Sequence, residues 1–159
     1  MARSVLFICT GNIFRSMTAE FALRRELGTG SAIRVSSAGT AHRPELTVRE
    51  DVADYLLSLG LNVSSHQRRT LSSDILAAHD VIIAMNSDHQ QILQERIQRH
   101  VPVFFEAATG SPHDMPDVDD LFPPEDHLSA AAREHVKKTI DLIIAETPEL
   151  ARRLRTSAH

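Results

Sequence analysis

The chain contains no tryptophan, a single tyrosine and a single cysteine. One cysteine cannot close an internal disulfide, so the fold is expected to need no oxidising compartment. An excess of positive charge is missing as well. The 17 Lys and Arg residues are outnumbered by 21 Asp and Glu, giving a net charge of -4. A nucleic-acid binder carries a basic patch or stripe, and nucleic acid is not an expected partner here. No apolar run approaches the ~20 residues that span a bilayer. The opening "MARSVLFICTGN" lacks a cleavage region behind a long apolar stretch. Together these absences point to a cytoplasmic protein without membrane contact. Repeats, low-complexity tracts and linkers are also missing, so residues 1–159 are expected to form one domain, with 42% hydrophobic residues to build its core.

What is present alternates. "VLFI" (5–8) reads as a buried strand, and "SMTAEFALRREL" follows with helical spacing. "AIRVSSAGT" resembles a second strand closed by a glycine turn; after it Val48, Val52, Tyr55, Leu56 and Leu59 mark one helix face ending at Gly60. A short helix over "LSSDILAAH", a strand "DVIIAM", a helix "SDHQQILQERIQR" and a fourth strand "VPVFF" come next. Glu106 to Pro124 is rich in Pro, Gly and Asp and reads as a loop of functional length. A last helix from about Glu125 turns Leu128, Ala132, Val136, Ile140 and Ile143 inward, with Pro148 interrupting it. This order predicts an α/β fold: a single three-layer domain with a short, mostly parallel four-stranded sheet and helices on both faces. Such sheets bind ligands at the carboxyl ends of their strands, where Cys9 stands.

In "CTGNIFRS" (9–16) the chain passes from a strand's end into a helix's start. Backbone N–H groups there have no intrahelical partner and the dipole is positive, which favours an anion and the thiolate form of a cysteine. A tight loop can turn successive amides toward a tetrahedral oxyanion, and Arg15 adds a fork for two of its oxygens. A lone cysteine after a strand is commonly a small buried hydrophobe. The company of Gly11, Asn12, Arg15 and Ser16 argues instead for a nucleophile and a phosphate cradle in one loop.

Cysteine, five residues, arginine, then serine, placed near the N-terminus, resembles the phosphate loop of the low-molecular-weight protein tyrosine phosphatases. "SSAGT", "SSHQRR", "DVIIAMNSDHQQIL" and "MPD" fall where that family has similar segments, so the resemblance covers nearly the whole chain. It implies a phosphomonoester hydrolase that forms a phosphocysteine intermediate and uses no cofactor and no metal. The implied roles are Cys9 as nucleophile, Arg15 as anion clamp and Asp117 as general acid. Thr10, Gly11, Asn12, Ile13, Phe14, Arg15 and Ser16 would form the substrate-binding loop, with Asn12, Ser16 and His66 as its support. An exposed loop histidine is the plainer account of His66. The other histidines, including His42, His79, His89, His100 and His113, show no metal-ligand pairing, and His127 and His135 suit a shared helix face. Asp114, Asp119 and Asp120 accompany Asp117 in the long loop, with Asp119 the second candidate for the acid.

Several positions depart from the family. Val118 replaces the proline after the acid, Asp119 and Asp120 replace an aromatic pair, Phe14 replaces a second loop cysteine, and Met17 replaces a proline. Without ring walls, selection for a flat aromatic ester weakens. Carboxylates at 119 and 120 would favour cationic or polyhydroxylated substrates, with Arg43, Arg68 and Arg69 as candidates to offset them. The absence of further cysteines argues against a disulfide-relaying arsenate reductase. Ile13 stands where arginine phosphatases of the family have threonine, which favours an oxygen ester. The expected partner is a phosphorylated protein or small phosphomonoester; the oligomeric state is left open. The alternative is an oxyanion- or partner-binding module of the same fold with impaired catalysis.

Overall fold

The computed structural model describes residues 3–157. Strand β1 (Arg3–Cys9) lies at the centre of a three-stranded sheet, between β2 (Ile33–Gly39) and β3 (Val81–Ala84), and both pairings are parallel. Because side chains alternate along a strand, β1 serves two cores. Val5 and Phe7 pack with Leu23, Phe104, Ile143 and Leu150 on one face, while Leu6 and Ile8 pack with Leu71, Leu76, Leu93 and Val103 on the other. The helices sort accordingly. Helices α1 (Arg15–Leu27), α5 (Phe104–Thr109) and α7 (Ala130–Thr156) contribute to the first face, and α3 (Ser73–Ala77) and α4 (Ser87–Ile97) to the second. Helix α2 (Glu50–Ser58) joins α1, α7 and the short α6 (Val118–Leu121) in an outer cluster around Met17, Leu56 and Ile140. Among the described residues no helix is long and apolar enough to cross a membrane.

The expected fourth strand is absent from the sheet. "VPVFF" contributes one parallel bridge, Ala84 to Val103, with the Ala84 N–H donating to the Pro102 carbonyl at 3.0 Å. Pro102 has no N–H to extend a ladder, and two residues later Phe104 begins α5. The apolar run marks burial correctly, but a short run does not distinguish a buried strand from a buried helical turn.

Four smaller expectations at the surface and the C-terminus are also corrected. Leu128 is 61% exposed, because it precedes the Ser129 cap whose hydroxyl accepts from Ala132 N–H at 3.1 Å, so α7 starts beyond it. His127 follows a 3₁₀ turn (Pro124–Asp126) and therefore shares no helix face with His135. Pro148 does not stop α7. An interior proline costs roughly 3 kcal/mol, whereas Leu150 and Leu154 beyond it are 1% and 6% exposed. Burying two leucines at about 1.5–3 kcal/mol each outweighs the lost bond. On α2 only Val52 and Leu56 are buried; Tyr55 is half-buried with its hydroxyl donating to Asp141 at 2.6 Å, and Leu59 is exposed.

Candidate active site

Cys9 ends the central strand and pairs across to Gly39, the last residue of β2. A β-carbon at Gly39 would stand 2.5 Å from the Thr10 carbonyl oxygen and 3.1 Å from the Asn12 nitrogen. Only glycine lets the loop after Cys9 lie so close to its neighbour. Beyond Gly39, the N–H groups of Thr40 and Ala41 donate to the Cys9 and Thr10 carbonyls at 2.9 and 3.0 Å. The loop then turns at Asn12, whose φ of 57° is left-handed, a conformation asparagine tolerates better than most residues.

Asn12 is fully buried and all its polar groups are engaged. Its Oδ1 accepts from the Arg69 N–H at 2.9 Å, which fixes the amide's orientation. Nδ2 then donates to Ser16 Oγ at 2.9 Å and to Ser37 Oγ at 2.7 Å. Ser37 in turn donates to Glu20 Oε1 at 2.6 Å, and Arg24 lies 2.8 Å from the other Glu20 oxygen. The carboxylate can only accept, so the polarity of the chain is set from Glu20 outward, and the Ser16 proton is free to point at Cys9 Sγ, 2.9 Å away. The Asn12 N–H also donates to the sulfur at 3.3 Å. Two donors thus converge on one sulfur.

Outside this relay, His66 Nε2 donates to the Asn12 carbonyl at 2.7 Å, and Arg68 donates to the carbonyls of Gly11 (3.0 Å) and Ala41 (2.8 Å). Arg69 donates to the Ser37 carbonyl at 3.3 Å. Arg68 and Arg69 therefore fasten the loop from behind, and the expectation that they offset charge at the entrance is replaced by this role. Arg43 does line the cleft, paired with Glu45 at 2.6 Å.

Arg15 opens α1 and is buried. It donates from Nη1 to the Met115 carbonyl at 2.9 Å and from Nη2 to Asp117 Oδ2 at 3.1 Å, while Nε lies buried with no hydrogen-bond partner among the described residues. Asp117 is thus brought to the loop by the residue expected to grip the anion. Its second oxygen caps α6, accepting from the Val118 N–H at 2.7 Å, and its own N–H donates to Asp120 Oδ2 at 2.8 Å. Asp120 completes a capping box and does not line the cleft, so its expected place at the entrance is corrected. Asp119 does line the cleft; it is 76% exposed in its side chain and lies 3.2 Å from His127 Nε2.

The segment that carries the expected acid is held by residues that sequence reasoning passed over. Asn86 Oδ1 accepts from the Met115 N–H at 3.1 Å, Ser87 binds Asp114 through its N–H (2.9 Å) and hydroxyl (2.7 Å), and His135 donates to the Pro116 carbonyl at 2.8 Å. Glu20 and Ser37 were also missed. None of these carries a motif, although Glu20 on a buried helix face is a signal that a buried carboxylate needs partners. The two loops and the segment Ala41–Arg49 enclose a cleft of about 630 Å³. Thr10, Gly11, Ile13 and Phe14 line it with Cys9, and among the described residues Phe14 is the only phenylalanine or tyrosine that does so. Leu46, Val118 and Pro124 supply non-aromatic apolar wall, and His127 adds an imidazole.

Comparison with known proteins gives the family and the fold. The sequence pattern of the family described as low molecular weight phosphotyrosine protein phosphatase matches residues 4–159. The low molecular weight protein-tyrosine-phosphatase Etp of Escherichia coli (strain K12) is 34% identical over 86 residues, 54% of this chain and 56% of Etp. The match thus spans little more than half the length of that relative. A protein-arginine-phosphatase of Bacillus subtilis is 29% identical over 118 residues, 71% of this chain and 77% of the relative. Among solved structures, a YwlE mutant from Bacillus subtilis superposes with a TM-score of 0.81 at 24% identity, covering 97% of this chain and 99% of that one. At that identity the superposition establishes the fold.

Proposed function

The chain belongs to the low molecular weight phosphotyrosine protein phosphatase family, and from that premise we propose that it hydrolyses phosphomonoesters through a phosphocysteine intermediate without a metal. The observation that carries this reading is the convergence on Cys9 Sγ of the Ser16 hydroxyl and the Asn12 N–H, with Arg15 and Asp117 joined at 3.1 Å beside them.

In the first step the Cys9 thiolate attacks phosphorus, the S–P bond forms and the bond to the leaving oxygen breaks. Asp117 gives that oxygen its proton. In the second step the Asp117 carboxylate takes a proton from water, whose oxygen attacks phosphorus and releases the thiolate and inorganic phosphate. Loop amides and Arg15 meet the charge on the transferring group, the task that metal ions perform in other phosphatases. Asn12, Ser16 and His66 keep the loop in its curled form.

The substrate proposed first is phosphotyrosine or another oxygen ester on a protein. The apolar Ile13 in the cleft lining offers no partner to a guanidinium. Phosphoarginine is the second reading, favoured by the exposed carboxylate of Asp119 at the cleft. Hydrolysis of an aryl phosphate in chelator, inhibited by vanadate, tests the reaction; matched phosphotyrosine and phosphoarginine peptides then decide the substrate. A strict requirement for a divalent ion contradicts the mechanism, and oxyanion binding without turnover would leave the binding-module alternative.

A further inference from the structure

His89 lies in the first turn of α4, a helix on which only it and Leu93 are buried. Its side chain does not pack as a plain core residue. Nε2 stands 2.8 Å from the hydroxyl of Thr10, the first residue after the nucleophile, and Nδ1 is buried with no partner among the described residues. Thr10 itself is exposed and lines the cleft with Cys9.

The ring is neutral at ordinary pH. Burial pushes it down to about 4, the Arg15 charge acts in the same direction, and Asp117, Asp120 and Asp114 oppose them. A neutral imidazole carries one N–H. On Nδ1 that hydrogen would be a buried donor without an acceptor, an arrangement proteins rarely keep, whereas a buried lone pair is tolerated more readily. The hydrogen therefore belongs on Nε2, which donates to Thr10 Oγ1. The Thr10 hydroxyl, accepting from His89, keeps its own hydrogen to donate.

From this we infer that His89 is a positioning residue for the phosphate loop: it fixes the Thr10 hydroxyl as a hydrogen-bond donor facing an oxyanion held over Cys9. The backbone of Thr10 is already fixed from the other side, its carbonyl accepting from the Ala41 N–H at 3.0 Å. With both ends tied, the hydroxyl meets the anion without first giving up rotational freedom. The same turn of α4 holds the acid-bearing segment through Asn86 and Ser87, so one short stretch sets the position of both loops. This inference rests on the phosphatase reading.

The test is a double-mutant cycle read by vanadate inhibition of aryl phosphate hydrolysis in chelator. Thr10→Val and His89→Phe are each expected to weaken vanadate about 10-fold, the effect of losing one hydrogen bond to a charged group. The double variant is expected to be no weaker than the weaker single one, because both substitutions break the same contact. Thr10→Ser, which restores a hydroxyl, is expected to recover the affinity that Thr10→Val loses. Should His89→Phe fail to fold, the Thr10 pair tests the hydroxyl, and ¹⁵N NMR of the histidine ring in the parent and in Thr10→Val tests its contact with His89 by a readout independent of activity. Unchanged vanadate affinity in Thr10→Val, additive losses in the double variant, or an Nδ1–H tautomer of His89 overturns the inference. A parent protein that neither hydrolyses the ester nor binds vanadate contradicts the phosphatase reading instead.

Discussion

Between Cys9 and Ser16 the groups that touch the sulfur lie in one contiguous stretch, and their polar atoms point into buried partners. Asn12, Arg15 and Ser16 are buried, and the relay from Glu20 through Ser37 and Asn12 ends on the sulfur. Between Asp114 and Asp120 the plan is different. The carboxylates there are partly or fully exposed, and the segment is held by Asn86 and Ser87 of the α4 turn, Arg15 of α1 and His135 of α7. The immediate contacts of the proposed nucleophile are thus local in sequence, braced by Ser37, Glu20 and Arg69 from outside, and the setting of the proposed acid is assembled by the tertiary fold. Substitutions in the first region should remove chemistry outright, and those in the second should change how well one step is assisted.

The largest effect is expected at the sulfur. Cys9→Ser should lower turnover on the order of 10⁴-fold or more while calorimetry still detects oxyanion binding, since amides and Arg15 survive the change. Turnover near the parent rate would remove Cys9 from the reaction. Asp117→Asn should come next, with a loss of about 100-fold on phenyl phosphate and a clearly smaller one on an activated nitrophenyl ester. Equal losses on both esters would mean that Asp117 is not the proton donor. Asp120→Ala removes the capping-box partner, worth about 1 kcal/mol; a loss of roughly 5-fold, larger on the poor leaving group, is the expected kinetic trace. A parent-like leaving-group profile would show that the box does not position Asp117. The smallest effect belongs to Asp119→Asn, at an exposed pair with His127, where turnover should stay within about 2-fold. A leaving-group dependence there, with none at Asp117, would shift the acid by two residues and break the comparison at its second half.

The same contrast accounts for what the sequence made legible. "CTGNIFRS" announces its chemistry because strand end, turn residue, arginine and helix start are consecutive, and Asn12 and Ser16 act within four residues of each other. Alternating apolar runs likewise gave the parallel sheet and the burial of Val101, Val103 and Phe104, but not that Phe104 turns into a helix. Arg68, Arg69 and Asp120 read as surface charges because their partners, the carbonyls of Gly11, Ala41 and Ser37 and the N–H of Asp117, are backbone groups that no motif displays. His89 and Glu20 were hidden for a related reason: their partners, Thr10 and Ser37, are far away in sequence or on another element.

The central claim is that phosphate passes through Cys9. Rapid quenching of the full chain with an aryl phosphate in chelator, followed by mass spectrometry of the peptide containing Cys9, tests it directly. The predicted result is a phosphate mass on Cys9 within the first turnover, absent from Cys9→Ala. Steady hydrolysis in chelator with no label on Cys9 at any quench time would contradict the account.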